Sequence, residues 1–173
     1  MSAGAAQTSC RLQPYEPVDL GFRWKVLYET AYWRSGEPRP PKKVEALSGL
    51  EHARYLQGWG RPGDTAVLTE DLDRGRLGAA WYRFVASEEP AYGFLDDQTP
   101  EVALAVVPDH RGRGAGGALL RELRDAAKSQ GYSALSLSVE KGNPALRLYE
   151  RNGFVKPFET EDAWAMGADL FAG

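Results

Sequence analysis

The sequence predicts a mixed α/β domain, with one central sheet flanked by helices. Three observations predict it. The chain has 173 residues, enough for one domain with one sizeable core. Segments with a helical apolar period and segments with a strand period both occur. In the second half they alternate as strand, helix, strand, helix and closing strands, an order that places helices over a sheet.

Residues 1–9 are small and polar and predict a loose tail, with the single domain running from 10 to 173. "RLQPY" is a short first strand. Leu20, Trp24, Leu27, Tyr28 and Ala31 recur at a helical period between Val18 and Arg34. "SGEPRPPKK" breaks that helix with three prolines. A second helix is expected from about Val44 to Gln57, with Ser48 and Glu51 spaced as a capping box inside it. "GWGRPGD" is a loop. "TAVLTE" and "RLGAAWYRFVAS" are two strands around the turn "DLDRG", and "EVALAVV" is a third strand that stops at Pro108.

Leu119, Leu120, Leu123, Ala126 and Ala127 then mark the buried side of a helix that Gly131 ends. "ALSLSV" alternates and is a strand. "NPALRLYERNGF" carries a helix with Asn143 at the N-cap, Pro144 at N1 and Gly153 at C′. Phe154 is placed to pack on Leu148 or Tyr149. "FVKPF" and "DAWAMGADL" are closing strands around "ETED".

Composition narrows the partners. Net charge is −3, which argues against a broad nucleic-acid face. No window approaches 18 apolar residues, so no membrane span is expected. The N-terminus shows no apolar signal core, and a cytoplasmic location is the expectation. Cys10 is the one cysteine, and His52 and His110 are the only histidines, so neither a disulfide nor a metal site is expected.

The chemistry is concentrated in "VVPDHRGRGAGGALL". Glycines at 112, 114, 116 and 117 stand where a helix must start, although glycine costs about 1 kcal/mol against alanine within a helix. A strand that passes through glycines into a helix exposes main-chain N–H groups at the positive helix end, which suits an anion. Arg111 and Arg113 add forked donors. From Pro108 to Lys128, five Arg or Lys face three acids, a local balance of +2. A Walker loop would need Gly-Lys-Ser/Thr, which is absent. The dinucleotide fingerprint G-x-G-x-x-G does match at Gly112, Gly114 and Gly117, with Glu140 at the end of the next strand. Only 33 residues follow Glu140, too few for a second mononucleotide half, and no βαβ alternation precedes the loop.

Arg111-x-x-Gly114-x-Gly116 after "LAVVP", followed about 30 residues later by "NPALRLYERNGF", resembles the GNAT superfamily of N-acetyltransferases. The resemblance is specific from Glu101 to Phe154 and topological elsewhere. It implies an acyl-CoA N-acyltransferase fold whose central strands splay, with acetyl-CoA as co-substrate and no metal. It implies that Arg111, Gly112, Arg113, Gly114, Ala115, Gly116 and Gly117 hold the pyrophosphate. Backbone at Leu104, Ala105 and Val106 would pair with pantetheine, which can act as a surrogate strand. Asn143 matches a polar residue near the cofactor arm, although the cap role alone explains it.

The resemblance further implies Tyr149 as general acid for the departing thiolate and Glu101 as base, directly or through water. A phenol with pKa about 10 keeps its proton at neutral pH. Many relatives carry an acid five positions before the matching Asn; here that residue is Ser138, which weakens any transfer of a protein N-terminus role. Glu140 is read as solvated.

The implied activity is direct transfer of acetyl to a primary amine of a small molecule or peptide. "WRSGEPRPPKK", "PFETEDAW" and the acids Asp96 and Asp97 are candidates for shaping the acceptor site, and Trp24, Trp33, Trp59 and Trp81 either line it or fill core. A homodimer is a common assembly among such proteins. Two other readings stay open at this point: a non-catalytic acyl-CoA-binding sensor and a nucleotide-dependent oxidoreductase.

Overall fold

The computed structural model describes residues 8–13, 20–34, 36–39, 47, 51–85 and 91–172. Its strands are β1 (Thr8–Gln13), β2 (Thr65–Asp71), β3 (Gly75–Arg83), β4 (Glu101–Val106), β5 (Ala134–Glu140), β6 (Val155–Glu159) and β7 (Ala163–Asp169). Its helices are α1 (Leu20–Ala31), the 3-10 helices η1 (Glu51–Tyr55) and η2 (Pro108–His110), α2 (Ala115–Ser129) and α3 (Ala145–Arg151). The strands form one seven-stranded sheet in the order β1-β2-β3-β4-β5-β7-β6. Every pairing is antiparallel except β4 with β5.

Strand alternation sends successive side chains to opposite faces. Val102, Leu104 and Val106 of β4 join Leu119, Leu120 and Leu123 of α2 and Leu137 of β5 in one core. Ala103 and Ala105 join Val26 and Leu27 of α1, Tyr55 and Leu56 around η1, and Trp81 of β3 in a second core on the other face. The sheet is thus covered on both sides, which is why β4 is apolar at nearly every position.

Local chemistry sets the ends of the elements. Asp71 accepts the N–H groups of Asp73 and Arg74 and Gly75 adopts φ +75°, closing the β2–β3 turn expected at "DLDRG". α3 ends as expected: Gly153 has φ +84°, the Phe154 N–H donates to the Tyr149 carbonyl at 3.1 Å, and the two rings meet 5.9 Å apart. α3 starts at Ala145, with the Asn143 Oδ1 accepting the Ala145 N–H at 3.0 Å.

Some bounds differ from expectation. β1 begins at Thr8, inside the stretch read as tail, because it pairs with β2 from Thr8↔Asp71 onward; residues 1–7 lie outside the described residues. β3 stops at Arg83, short of the predicted end. Of the second predicted helix, Leu47 is helical and buried and η1 forms its last part. Residues 40–46 and 48–50, including Ser48 of the capping box, lie outside the described residues.

Candidate active site

β4 and β5 share a single pair, Glu101↔Ser136, with the Ser136 N–H donating to the Pro100 carbonyl at 3.0 Å. Beyond that point they part, while β4 stays paired to β3 and β5 to β7 along their lengths. A gap therefore opens toward the C-terminal end of β4. Main-chain groups alternate between the two edges of a strand. Because Pro100 faces β5 and Val107 bonds to Leu77 of β3, Leu104 and Val106 turn their main chain to the gap. Single side chains meet these carbonyls instead of a neighbouring strand: the Thr30 hydroxyl, which donates to Val26 O of its own helix at 3.1 Å, lies 3.4 Å from Leu104 O, and Arg111 Nε donates to Val106 O at 3.0 Å. Ala105, expected to present its backbone here, pairs with Ala79 of β3 and faces away from the gap.

The glycine segment lies at the mouth of this gap. Gly112 and Gly114 adopt φ +74° and +86°, which side-chain-bearing residues rarely do. Gly114 precedes α2, and the Ala118 N–H is bonded to its carbonyl at 3.1 Å. The amides of Ala115, Gly116 and Gly117 precede that first bond and have no intrahelical acceptor. Gly116 serves another purpose. A Cβ on Gly116 would sit 3.0 Å from Leu148, so this glycine lets α3 pack on the first turn of α2, whereas one on Gly117 would meet Leu148 at an ordinary 3.7 Å and the end of Arg121 at 3.3 Å. Arg113 is exposed. Arg111 turns back from the loop, with its guanidinium 3.7 Å from the Glu29 carboxylate, which Arg39 also pairs at 2.9 Å.

At the closed end of the gap stands Glu101, buried to 1% exposure. Its Oε1 accepts the Tyr55 hydroxyl and, at 2.7 Å, the Gly93 N–H. Its Oε2 is buried without a hydrogen bond among the described residues, as is the hydroxyl of the neighbouring Ser136. Burial pushes the carboxyl up to about 7, against the two hydrogen bonds, which favour the charged form. Burial and the nearby Glu101 charge hold Tyr55 well above the ordinary phenol value.

Gly93 matters because of what lies beneath it: a Cβ there would be 2.4 Å from Leu137 C and 2.6 Å from Ser138 N. Glu101 follows the odd-numbered residues of β4 onto the α1/η1 face. Tyr149 lies on the opposite face, in the core that Leu104, Val106, Leu137 and Val139 share with α3. Burial alone pushes its phenol up to about 12.

The remaining candidates fall elsewhere. Asp96 and Asp97 line a cleft of about 390 Å³ with Gln98, Thr99 and Ser133, before the starts of β4 and β5 and away from the gap mouth. Glu140 is not simply solvated: it accepts Trp33 Nε1 at 3.0 Å and Arg34 at 3.2 Å, and joins Tyr32, Arg39 and others around a cleft of about 220 Å³. Trp59 and Trp81 are core. Sequence reasoning missed Tyr55, Gly93 and Thr30. Nothing local marks them; each matters through a partner distant in the chain.

A family model described as an acetyltransferase (GNAT) domain matches residues 67–156, just over half of the chain. The chain belongs to the GNAT acetyltransferase family. Mycothiol acetyltransferase from Clavibacter sepedonicus is 31% identical over 115 residues, 66% of this chain and 34% of that protein, so the match spans about a third of the relative's length. Among solved structures, a proposed phosphinothricin N-acetyltransferase is similar at a TM-score of 0.69 and 21% identity, over 95% of this chain and 100% of that one. The yncA protein of Salmonella typhimurium, a proposed acetyltransferase with its cofactor acetyl-CoA, is similar at 0.63 and 20%, over 95% and 96% of the two chains.

Acetyl-CoA is the co-substrate of the GNAT family, and the residues here suit it. The loop offers unpaired amides, the adjacent strand edge lacks a strand partner, and the two glycines that shape the loop have nothing within 4 Å of the space a Cβ would fill. Among the described residues no helix is long and apolar enough to cross a membrane.

Proposed function

We propose that this chain is an N-acetyltransferase that moves acetyl from acetyl-CoA to a primary amine of a small molecule or peptide by direct transfer. The observation that carries the reading is the parting of β4 and β5 after one pair, with a buried carboxyl on one face of the opening and a buried phenol on the other. Two reactants can then meet from opposite sides of the sheet, which converts a bimolecular step into a positioned one.

The amides of Gly112 to Gly117 and the exposed Arg113 receive the diphosphate, and the Leu104 and Val106 main chain receives the pantetheine amides. Acetyl-CoA supplies the acyl group as a thioester whose sulfur leaves as a thiolate. Glu101 takes the proton that the amine loses as its nitrogen bonds to the acyl carbon. Tyr149 gives its proton to the sulfur as the carbon–sulfur bond breaks. Its high pKa keeps that proton in place at neutral pH. Neutralising a lysine-like amine, pKa about 10.4, costs roughly 4–5 kcal/mol at pH 7, whereas an α-amine near 8 costs about 1–1.5 kcal/mol. A base poised near neutrality therefore serves the first class most.

Calorimetry with acetyl-CoA, followed by CoA release against a panel of primary amines, tests the reading. Binding should weaken as salt rises. Tyr149→Phe should lower turnover on the order of 10²-fold with little change in acetyl-CoA affinity. Unchanged turnover removes Tyr149 from the mechanism. Binding without CoA release on any amine leaves a donor-binding protein only.

A further inference from the structure

We propose that Tyr55 is a positioning residue: together with the Gly93 N–H it fixes one oxygen of Glu101, so that the other, Oε2, is the oxygen that takes the acceptor's proton. The proposal rests on the reading of Glu101 as the base.

Both donors converge on the same atom, Oε1. Oε2 is left buried and unbonded among the described residues, and so is the Ser136 hydroxyl. These two side chains are partners in the one β4–β5 pair and lie on the same face, at the point where the strands part. A buried polar atom left without a partner is unfavourable. Two of them side by side at the base of an open gap mark a place where a polar group of a bound molecule is received.

Tyr55 is held for this purpose by its own main chain. Trp81 Nε1 donates to the Tyr55 carbonyl at 2.8 Å. Arg83 donates to the Arg54 and Gln57 carbonyls at 3.1 and 2.8 Å, so β3 grips η1 on both sides of the tyrosine. Arg83 is itself anchored by Asp64 at 2.6 Å.

Of the other titratable or charged groups on the surrounding elements, Tyr92 acts on the Tyr55 hydroxyl itself. His52 and Tyr92 meet ring to ring at 5.3 Å, Arg23 of α1 lies 4.3 Å over the Trp59 ring, and Glu29 holds Arg39. Among the described residues, the side-chain hydrogen bond to the Glu101 carboxylate comes from the Tyr55 hydroxyl. A hydrogen bond to the charged form favours that form, so removing it raises the carboxyl further above its position near 7.

The test follows the carboxyl directly and through the rate. In protein labelled with ¹³C at the glutamate carboxyl, the Glu101 resonance is identified by its loss in Glu101→Gln, and it should titrate near pH 7. Tyr55→Phe should move that midpoint up by about one pH unit, the size expected for losing a hydrogen bond to a charged group. The acid limb of kcat/KM, measured by CoA release with the fastest amine of the panel, should move with it. On a Glu101→Gln background, Tyr55→Phe should change the rate less than twofold. Replacing Tyr55 by 3-fluorotyrosine, a stronger donor that keeps the side chain's shape, should move both midpoints down; this arm stands even if the phenylalanine variant folds poorly. Unmoved midpoints in both variants, with a rate that still depends on Glu101, overturn the role of Tyr55 alone. A Glu101→Gln enzyme that keeps full activity removes the base, and the positioning role with it.

Discussion

Glycine serves three separate purposes in this chain, and only one of them is conformational. Gly112 and Gly114 hold positive φ in open space, so a side chain there meets backbone strain and no neighbour. Gly116 yields room to Leu148 of α3. Gly93 yields room to main chain, which cannot rotate aside as a side chain can. Gly93→Ala would set a methyl against the Leu137–Ser138 peptide and lift the Gly93 N–H from Glu101. We expect a loss of about 1–3 kcal/mol in a urea titration and an upward move of the Glu101 midpoint, which a simple packing defect would not produce. A variant as stable as the parent would show that the loop has space to shift. The carboxylate at the head of "EVALAVV" was legible as a candidate only through the family resemblance carried by the motifs that follow it. Its partners were not, since Tyr55 lies 46 positions away and nothing in its own segment distinguishes it from a core tyrosine.

At the scale of elements, the structure's least obvious construction is the clamp between β3 and η1. A five-residue 3-10 helix has few internal bonds and little independent stability. Arg83, fully buried, supplies what it lacks by donating to the carbonyls of Arg54, Gln57 and Gly58 and pairing with Asp64. Removing one partner of a buried pair strands the other charge, at a cost of about 3–5 kcal/mol. Asp64→Ala should therefore lower the denaturation midpoint strongly and reduce turnover by releasing η1, with a smaller effect on acetyl-CoA affinity because the loop at α2 lies on a different element. Equal stability of the variant in denaturant would show that the carbonyls alone hold Arg83. Helices and strands with caps and period were readable: α2, β5 and α3 follow from their apolar spacing, Gly131, Gly153 and Asn143. The clamp was not, because "YRF" in β3 reads as an ordinary strand until its arginine is seen to point into the second core.

For the molecule as a whole, the buried carboxyl links function to stability. Its folded value near 7 lies above its ordinary value of 4.5, so the folded state binds the proton more tightly than the unfolded chain. The stabilisation is complete below about pH 4.5 and is lost as pH rises through 7, for a total of about 3 kcal/mol from this group. Urea midpoints measured across that window should fall less with rising pH in Glu101→Gln than in the parent. Identical slopes would mean that Glu101 ionises as easily folded as unfolded.

The sequence by itself determined the mixed α/β class, the glycine turn into α2, the cap grammar of α3 and, through those motifs, the likeness to the acetyltransferase family. These are local properties, set by backbone conformation, apolar period and short spacings. The tertiary structure decided where β4 leaves β5, which face of the sheet each candidate acid or base occupies, that Arg111 turns toward Glu29, and that Tyr55 and Gly93 share one oxygen of Glu101. Those depend on which strand lies beside which and on burial, energies that arise only when segments far apart in the chain exclude water together.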